Sequence, residues 1–223
     1  MASVPDDTPA WTQGLTAHLE RTESRHKNGR RIVEGLILPR RPINAPEPSF
    51  ARYNISAVPS FVLHRASWRR LHFRRCDLAH LRFMTSSAVE DCVFEECDIS
   101  GLRMWSTSLC AVEFSRCRMS ELACGGRENA LDRGRVVMDS VRFIACEMIG
   151  GSASDVLFAN CLWDDCQLKD RRFNECTLDR CTVRGWMRNI EFHGNARTPE
   201  SSVLRDCDLS QATLECVFYR GGT

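Results

Sequence analysis

The sequence lacks the features that mark exported, membrane-spanning or strongly charged proteins. No stretch approaches the ~18 apolar residues of a membrane helix, and the opening residues, MASVPDDTPAW, hold no basic or apolar region of an export signal. The 30 Lys and Arg residues balance the 29 Asp and Glu residues, for a formal net charge of +1. No global charge favours nucleic acid or a membrane surface, so we expect a cytoplasmic protein without direct contact to either.

Signatures of catalysis and of cofactor binding are also missing. The sequence contains no Gly-x-Ser-x-Gly, no P-loop and no Gly-x-Gly-x-x-Gly, and its six histidines show no metal-ligand spacing. We therefore predict no catalytic residue, no cofactor and no metal, and a protein that is not an enzyme. The alternative is small-molecule binding or catalysis in a pocket made by loops and the N-terminal segment.

Cysteine, in contrast, is abundant, with 13 residues in a chain of 223. The count is odd and no export signal is visible, so reduced thiols are expected rather than a disulfide framework. Pairs such as Cys92 and Cys97 have four residues between them, unlike a short zinc knuckle, and no histidine falls in phase with them. We expect buried thiols that act as small apolar side chains.

An apolar residue recurs at every fifth position over most of the chain. In CVFEECDISGLRMW, residues 92–105, the apolar residues come in pairs five residues apart, whereas a helix repeats near 3.6 and a strand at two. With few adjustments of register, the central residues of these units are Leu63, Trp68, Phe73, Leu78, Phe83, Ala88, then Phe94 to Cys124, Met138 to Val183, Met187, Phe192, Leu204, Leu209, Leu214 and Tyr219.

A small residue, often cysteine, stands two positions before most of these central residues. In an extended backbone, positions two apart share a face, so each unit is a short strand with two inward side chains followed by a corner. Such a unit cannot bury its own apolar side. The pattern therefore predicts a solenoid, in which units wind into coils and coils stack.

The repeat resembles the pentapeptide-repeat family, whose units begin with a small residue, an Asp or Asn, and a Leu or Phe. The best matches are Cys76-Asp77-Leu78, Cys97-Asp98-Ile99 and Cys207-Asp208-Leu209, and the resemblance covers about residues 61–220. It implies an all-β solenoid, a right-handed quadrilateral β-helix of about seven coils, over residues 61–223.

Stacking then predicts which residues lie over each other. One coil is about 20 residues, or 21 across one extra residue near 87–91, and neighbouring coils lie about 4.8 Å apart. Charges should pair along the walls, and thiols should stack inside. The predicted neighbours are Arg70 with Asp91, Arg74 with Glu95, Arg75 with Glu96 and then Arg116, Cys76 with Cys97 and Cys117, and Cys161 with Cys181. Paired in this way, the basic run from Arg65 to Arg75 is a charge ladder rather than a nucleic-acid patch.

Two interruptions of the repeat predict loops that project from the column. GGRENALDRGR, at 125–135, inserts nine residues, and GNARTPES, at 194–201, adds about seven. Loops on a rigid scaffold often carry function, although tolerated decoration is the alternative. The candidate partner contacts on the first loop are Arg127, Glu128, Asp132 and Arg133.

Three outward positions hold large apolar residues. Met84 and Trp105 should form an exposed pair on adjacent coils, and Trp186 should also point outward; all three are candidate partner contacts. Burial under the N-terminal segment is the alternative.

Arg171 is the one charged residue at an inward position. We expect its side chain to reach a corner or to mark a bulge. His64, His72 and His80 fall at outward positions, where we expect surface residues.

Residues 1–60 lie outside the repeat. Thr8-Pro9 followed by Trp11, Leu15 and Leu19 predicts a short helix, RIVEGLIL at 31–38 predicts a strand, and the following Pro-rich stretch predicts an extended connection. An open β-helix end exposes unpaired backbone, so we expect this short α/β segment to cap the column. A partner-binding arm is the alternative.

The predicted function is a non-enzymatic scaffold for protein–protein interaction. The family resemblance adds an alternative, protection of DNA gyrase or another type II topoisomerase from inhibitors by mimicry of duplex DNA, in antibiotic or self-resistance. Members with that role are acidic rods with projecting loops that dimerise through the C-terminal end. Here the net charge of residues 61–223 is −1 and no apolar C-terminal helix is evident. The oligomeric state, a dimer included, stays open.

Overall fold

The computed structural model describes residues 26–27, 29–34, 36, 61–84, 86–125, 135–194 and 203–220, and the regular elements within them are strands, with no helix. In chain order the strands are β1 His26–Lys27, β2 Arg30–Glu34, β3 Phe61–His64, β4 Ser67–Arg69, β5 Leu71–Arg74, β6 Leu81–Met84, β7 Ser87–Glu90, β8 Val93–Glu95, β9 Arg103–Met104, β10 Thr107–Cys110, β11 Glu113–Ser115, β12 Ala123–Gly125, β13 Val136–Asp139, β14 Arg142–Ile144, β15 Glu147–Ile149, β16 Ser152–Ser154, β17 Val156–Ala159, β18 Leu162–Asn174, β19 Thr177–Asp179, β20 Thr182–His193, β21 Val203–Arg205 and β22 Asp208–Arg220.

These strands form the predicted β-helix. One side is a sheet of seven parallel strands in the order β4, β7, β10, β13, β17, β19 and β21, one from each coil. A second side stacks β5, β8, β11 and β14 on the first part of β18. A third stacks β3, β6, β9, β12 and β16 on the last part of β18. The fourth side is paired through isolated bridges and β15.

Pairing between coils confirms the predicted register, with one correction. Leu63 pairs with Phe83, 20 residues on, and Phe114 pairs with Phe143, 29 residues on, as the nine-residue insertion requires. The residue paired with Trp68 is Val89, so Val89 and not Ala88 faces the core. Val89 is 1% exposed, whereas Ala88 is half-buried. The extra residue therefore lies between Phe83 and Val89. The five-residue spacing alone does not locate it, because Ala88 and Val89 are both apolar and either could be the central residue.

Aromatic side chains stack along the inside of the column. The ring centroids of Phe73 and Phe94 are 4.9 Å apart, as are those of Phe94 and Phe114. Phe143 continues the stack at 5.3 Å from Phe114, and Trp163 lies 5.4 Å beyond. Each of the five is in register with the next because the coils repeat, and burial of such rings is a large source of stability.

The corners explain both the aspartates and the cysteines of the repeat. Many corner residues adopt a positive φ, such as Glu96 at 55°, and thereby turn the chain onto the next side. In the Cys-Asp-Leu type of unit, the Asp carboxylate accepts the N–H of the second residue on, as from Ala79 to Asp77 at 3.1 Å. The cysteine thiol donates to a carbonyl of the preceding coil, as from Cys117 to Phe94 at 3.3 Å. These thiols are therefore structural donors inside the core.

The first end of the column carries a strand from outside the repeat. β2 pairs in parallel with β5, which places Val33 over Phe73, and its side chain is 1% exposed. β1 then pairs antiparallel with β2. The strand predicted at 31–38 is thus present as Arg30–Glu34, whereas the predicted helix near Trp11 and the Pro-rich connection lie outside the described residues. Capping by the whole 1–60 segment stays a prediction.

All 13 cysteines are free thiols, and we predict that their burial governs their reactivity. Ten are buried, Cys207 is half-buried, and Cys110 and Cys216 are exposed. Burial raises the pKa of Cys92 to about 11 and of Cys176 to about 12, so neither offers a reactive thiolate at neutral pH. Iodoacetamide should modify Cys110 and Cys216 in the native protein, Cys207 more slowly, and the other ten only in denaturant. Mass spectrometry of the intact protein gives the count, and extra adducts under native conditions contradict the packing.

Candidate interaction surfaces

The wall formed by the first coils of the column carries the predicted charge ladder. Arg75 Nε lies 2.9 Å from Glu96 Oε2, and Arg116 Nη2 lies 3.1 Å from Glu96 Oε1. Arg74 pairs with Glu95 at 3.9 Å, and Arg116 reaches Glu95 Oε1 at 2.7 Å. The runs WRRLHFRR and EDCVFEEC thus neutralise each other on adjacent coils. In this run, Arg69, Arg74 and Arg75 are each paired with a glutamate of the next coil.

One rung differs from the prediction. Asp91 is paired with Arg30 of β2, whose Nη2 lies 2.6 Å from Asp91 Oδ1, and not with Arg70. Arg70 stands beside the same corner and is exposed. The repeat predicts which residues of the column are neighbours. It could not predict this contact, because Arg30 lies outside the repeat and reaches past the coil of Arg70 to Asp91 on the next one.

His72 is buried, which corrects the expectation that it lies on the surface. It occupies an outward position between Ile32 of β2 and Val93 of β8, so strands flank it on both sides, and it is 5% exposed. Its Nε2 lies 2.9 Å from Glu95 Oε2. His72 therefore belongs to the charge ladder and offers no contact to a partner.

The four candidate contacts of the first loop, Arg127, Glu128, Asp132 and Arg133, lie outside the described residues, as do residues 195–202 of the second loop. Both remain predictions. At the point where the chain re-enters the column, Arg135 Nε lies 3.2 Å from Asp155 Oδ1, and Arg135 Nη2 donates to Thr177 Oγ1 at 3.1 Å. The return from the insertion is thereby fixed to two later coils.

The prediction of an exposed Met84 and Trp105 pair is wrong for Met84. Met84 is 5% exposed and Trp105 is half-buried. Burial under the N-terminal segment, the alternative, stays a prediction. The repeat reports which side chains face the core, but it does not report what covers the outside of a wall. Met84 is therefore a poor candidate for a partner contact, and Trp105 remains one.

Trp186 is half-buried on the wall of the coil before the last. Its indole Nε1 donates to Glu215 Oε1 at 2.9 Å, and the guanidinium carbon of Arg188 lies 5.7 Å from its ring centroid. These contacts hold the ring in one orientation. An oriented aromatic ring is a suitable contact for a partner, so Trp186 remains a candidate.

Arg171 reaches the corner at Gly150, as one of the two predicted explanations has it, and does not mark a bulge. It is 2% exposed, and the register shift in its strand lies at Asp164/Cys166 instead. Its Nη1 donates to the Gly150 carbonyl at 2.7 Å and its Nη2 to the Leu122 carbonyl at 3.4 Å. Burial lowers the pKa of its guanidinium. These are backbone contacts of the scaffold and not a binding site.

The largest apolar exposure lies at the other end of the column, on the last described coil. We call its inward side chains, Leu204, Leu209, Leu214 and Tyr219, the open end. Leu214 is 48% exposed and Tyr219 53%, whereas Met187 and Phe192 directly above them are 3% and 6% exposed. Phe218, on the rim, is 44% exposed. The repeat identified these residues as inward but carries no signal of their exposure.

Groups that could hold a metal or span a membrane were sought in the described part of the chain. It contains no cluster of three or more His, Cys, Asp or Glu arranged around a common point. It also contains no helix with the length and apolarity needed to cross a membrane.

The sequence and the structure were compared with protein families, curated proteins and solved structures. No family model and no curated protein matches the sequence. Structures of QnrB1, described as a plasmid-mediated fluoroquinolone resistance protein, align with it. The full-length QnrB1 structure is 11% identical over 86% of this chain and 93% of QnrB1, with a TM-score of 0.29. A trypsin-treated variant of QnrB1 is 14% identical over 72% of this chain and 89% of that one, with a TM-score of 0.26. These similarities are too low to carry an argument about function.

The charge ladder predicts a loss of stability in acid. Hydrogen bonds from Arg75 and then Arg116 hold the pKa of Glu96 below its ordinary value of 4.5. Because the folded pKa is the lower one, Glu96 stabilises the fold above the unfolded pKa, and this contribution disappears as pH falls through the folded pKa. The melting temperature of Glu96→Gln should therefore lie below that of the wild type at neutral pH, and the difference should shrink in acid. Glu175→Gln, at an exposed corner outside the ladder, is the control and should leave the melting temperature at neutral pH unchanged.

Proposed function

We propose that this protein is a non-enzymatic scaffold that binds another protein, and that the open end is its main docking surface. The observation that carries the proposal is the distribution of exposed apolar side chains. In the described residues, the large hydrophobic side chains that are exposed are Leu204, Leu214, Phe218 and Tyr219, which all belong to the last coil. Contiguous apolar exposure of this kind is characteristic of interaction sites.

The edge of the sheets supports the same assignment. Among the described strands, β21 pairs only with β19, and β22 pairs only with β20. Along its 13 residues, β22 has no further partner among the described strands on the side away from β20. An edge of that length beside exposed leucine and tyrosine side chains favours association with another chain.

Protection of DNA gyrase by DNA mimicry is the alternative, and the described walls do not favour it. A mimic of duplex DNA needs a continuous acidic surface, because phosphates give DNA its high density of negative charge. Here Glu95, Glu96, Asp91 and Asp98 are each paired with an arginine. We therefore rank a different protein partner first.

Capture experiments test the docking surface. Immobilised wild-type protein should retain a partner from a lysate of the source cells, and Leu214→Lys should reduce its recovery about tenfold or more, because a charge at the centre of an apolar contact costs several kcal/mol. The control, Thr213→Lys, adds the same charge on the exposed wall of the same strand and should leave recovery unchanged. Equal recovery with all three proteins would remove the open end as the docking surface.

A supercoiling assay tests the alternative. DNA gyrase is assayed with the protein in excess, in the presence and absence of a fluoroquinolone. We expect neither inhibition of supercoiling nor rescue from the drug, because the paired walls lack the field of a DNA mimic. Rescue of supercoiling would establish the protective function in place of our assignment.

A further inference from the structure

We propose that five stacked cysteines inside the column form a binding site for copper(I), with one ion held in line between each pair of neighbouring sulfur atoms. We call these cysteines the thiol column; they are Cys76, Cys97, Cys117, Cys146 and Cys166. The site is separate from the open end and does not depend on the proposed docking function. It follows from the spacing of the coils and from the chemistry of a buried thiol.

The thiol column takes one cysteine from each of five successive coils. The Cys76 carbonyl accepts the N–H of Asp98, the residue after Cys97, at 3.0 Å. The same bond links each later pair of coils at 3.0–3.1 Å, from Arg118 to Cys97, from Glu147 to Cys117 and from Gln167 to Cys146. Hydrogen bonds with the thiols of Cys146 and then Cys97 raise the pKa of Cys117, so its sulfur contacts a thiol on either side. Each thiol therefore lies directly over the next.

The distance between coils matches the length of a two-coordinate metal site. A bond from a thiolate to a zinc-sized cation is about 2.3 Å, so a cation in line between two sulfurs requires about 4.6 Å. Neighbouring strands of a sheet lie about 4.8 Å apart. Zinc itself takes four ligands around one point, and the described residues offer no cluster of three or more. The geometry therefore selects copper(I), which is soft, prefers thiolates and accepts two ligands in line.

Charge balance in the core also favours a monovalent ion. The five cysteines are 1–2% exposed, and a net charge at such a position is costly. Each copper(I) forms two copper–sulfur bonds and displaces one thiol proton, which leaves to solvent. Four ions and one retained proton then balance five sulfurs, so the loaded column stays neutral, the three inner sulfurs each bind two ions, and copper keeps its oxidation state. Divalent ions in the same four gaps would leave an excess of positive charge.

The thiols give up only weak hydrogen bonds in this exchange. Cys97 donates to the Phe73 carbonyl at 3.6 Å, and Cys166 donates to the Phe143 carbonyl at 3.2 Å. A thiol is a weak donor, whereas each bound ion gains two bonds to sulfur. The exchange therefore favours the loaded form.

Residues without a thiol close the thiol column at both ends. Over Cys76 lies Leu36, whose carbonyl accepts the N–H of Asp77 at 2.9 Å. Cys166 is paired on its other side with Gly185, which has no side chain. The thiol column therefore has four gaps between neighbouring sulfurs.

A shorter stack has the same geometry. The Cys161 carbonyl accepts the N–H of Thr182 at 2.9 Å, and the Cys181 carbonyl accepts the N–H of Asp208 at 2.8 Å, so Cys161, Cys181 and Cys207 are successive neighbours. By the same reasoning this stack has two gaps and accepts two ions.

The test is the number of copper(I) ions that the full chain retains against the chelator bicinchoninate, without oxygen and with a reductant present. Every protein carries Cys110→Ser and Cys216→Ser, which remove the exposed thiols. One sample is the native protein incubated with copper(I), and a second is purified from cells grown with added copper, so that the metal is present while the chain folds. We expect about six ions per chain, one for each gap of the two stacks, each with two sulfur neighbours in X-ray absorption. Copper should also raise the melting temperature, because a ligand that fits only the folded state stabilises it.

A pair of double variants locates the ions. Cys97→Ala with Cys146→Ala leaves no two neighbouring thiols in the thiol column, and should reduce the retained copper about threefold. The control, Cys92→Ala with Cys124→Ala, removes two buried cysteines whose neighbours in the stack are not cysteines, and should retain as much copper as the parent. Equal circular dichroism spectra of the three proteins establish that the fold is intact.

Several outcomes overturn the proposal, and two of them need only the parent protein. These two are the absence of retained copper after both ways of loading and a melting temperature that copper lowers, since an ion that does not fit the core disrupts it. Three or more sulfur neighbours per copper contradict the in-line geometry. An equal loss of copper in both double variants removes the thiol column as the site.

Discussion

The structure depends on the fact that a five-residue unit cannot bury its own apolar side. Each unit supplies two inward side chains and a corner, which is too little for a core, so the units bury their side chains only by closing into a square coil and stacking on neighbours. The continuous stack from Phe73 to Trp163 is the direct result, since equivalent rings on successive coils come within 4.9–5.4 Å. The apolar area that the protein buries therefore grows with the number of stacked coils and is spread along the axis of the column.

Close stacking at the corners restricts which residues the repeat accepts. Corners place non-glycine residues at positive φ, a conformation that costs free energy for an L-residue. The hydrogen bonds made there offset this cost: Asp77 and Asp98 accept from the second residue on, and Cys97 and Cys117 donate to carbonyls of the coil above. A thiol fits because it is small, apolar and able to donate. This accounts for an abundance of cysteine without a disulfide or a metal cluster in the described residues.

What could be predicted from the sequence follows from the same periodicity. The side-chain period fixed which residues face inward and, through the coil length, which ones are neighbours, so Arg75 with Glu96 and Cys161 beside Cys181 were predictable. The exact place of the extra residue was not, because an insertion anywhere between Phe83 and Val89 gives the same later register. Contacts made by residues outside the repeat were also unpredictable: β2 buries His72 and brings Arg30 to Asp91, and neither effect has a signal in the pattern of fives.

The ends of such a column are its chemically distinct positions. Along the walls, each rung lies between two others, so backbone groups and many charges are paired within the chain. At an end, one coil has a neighbour on one side only, and its core residues become surface: Leu178 is 4% exposed, whereas Leu204, which pairs with it one coil below, is 37% exposed. At the first end the chain itself supplies β2, and Phe73 is fully covered. The last described coil therefore exposes side chains of the kind that the coils above it bury, which is the basis of the docking surface proposed above.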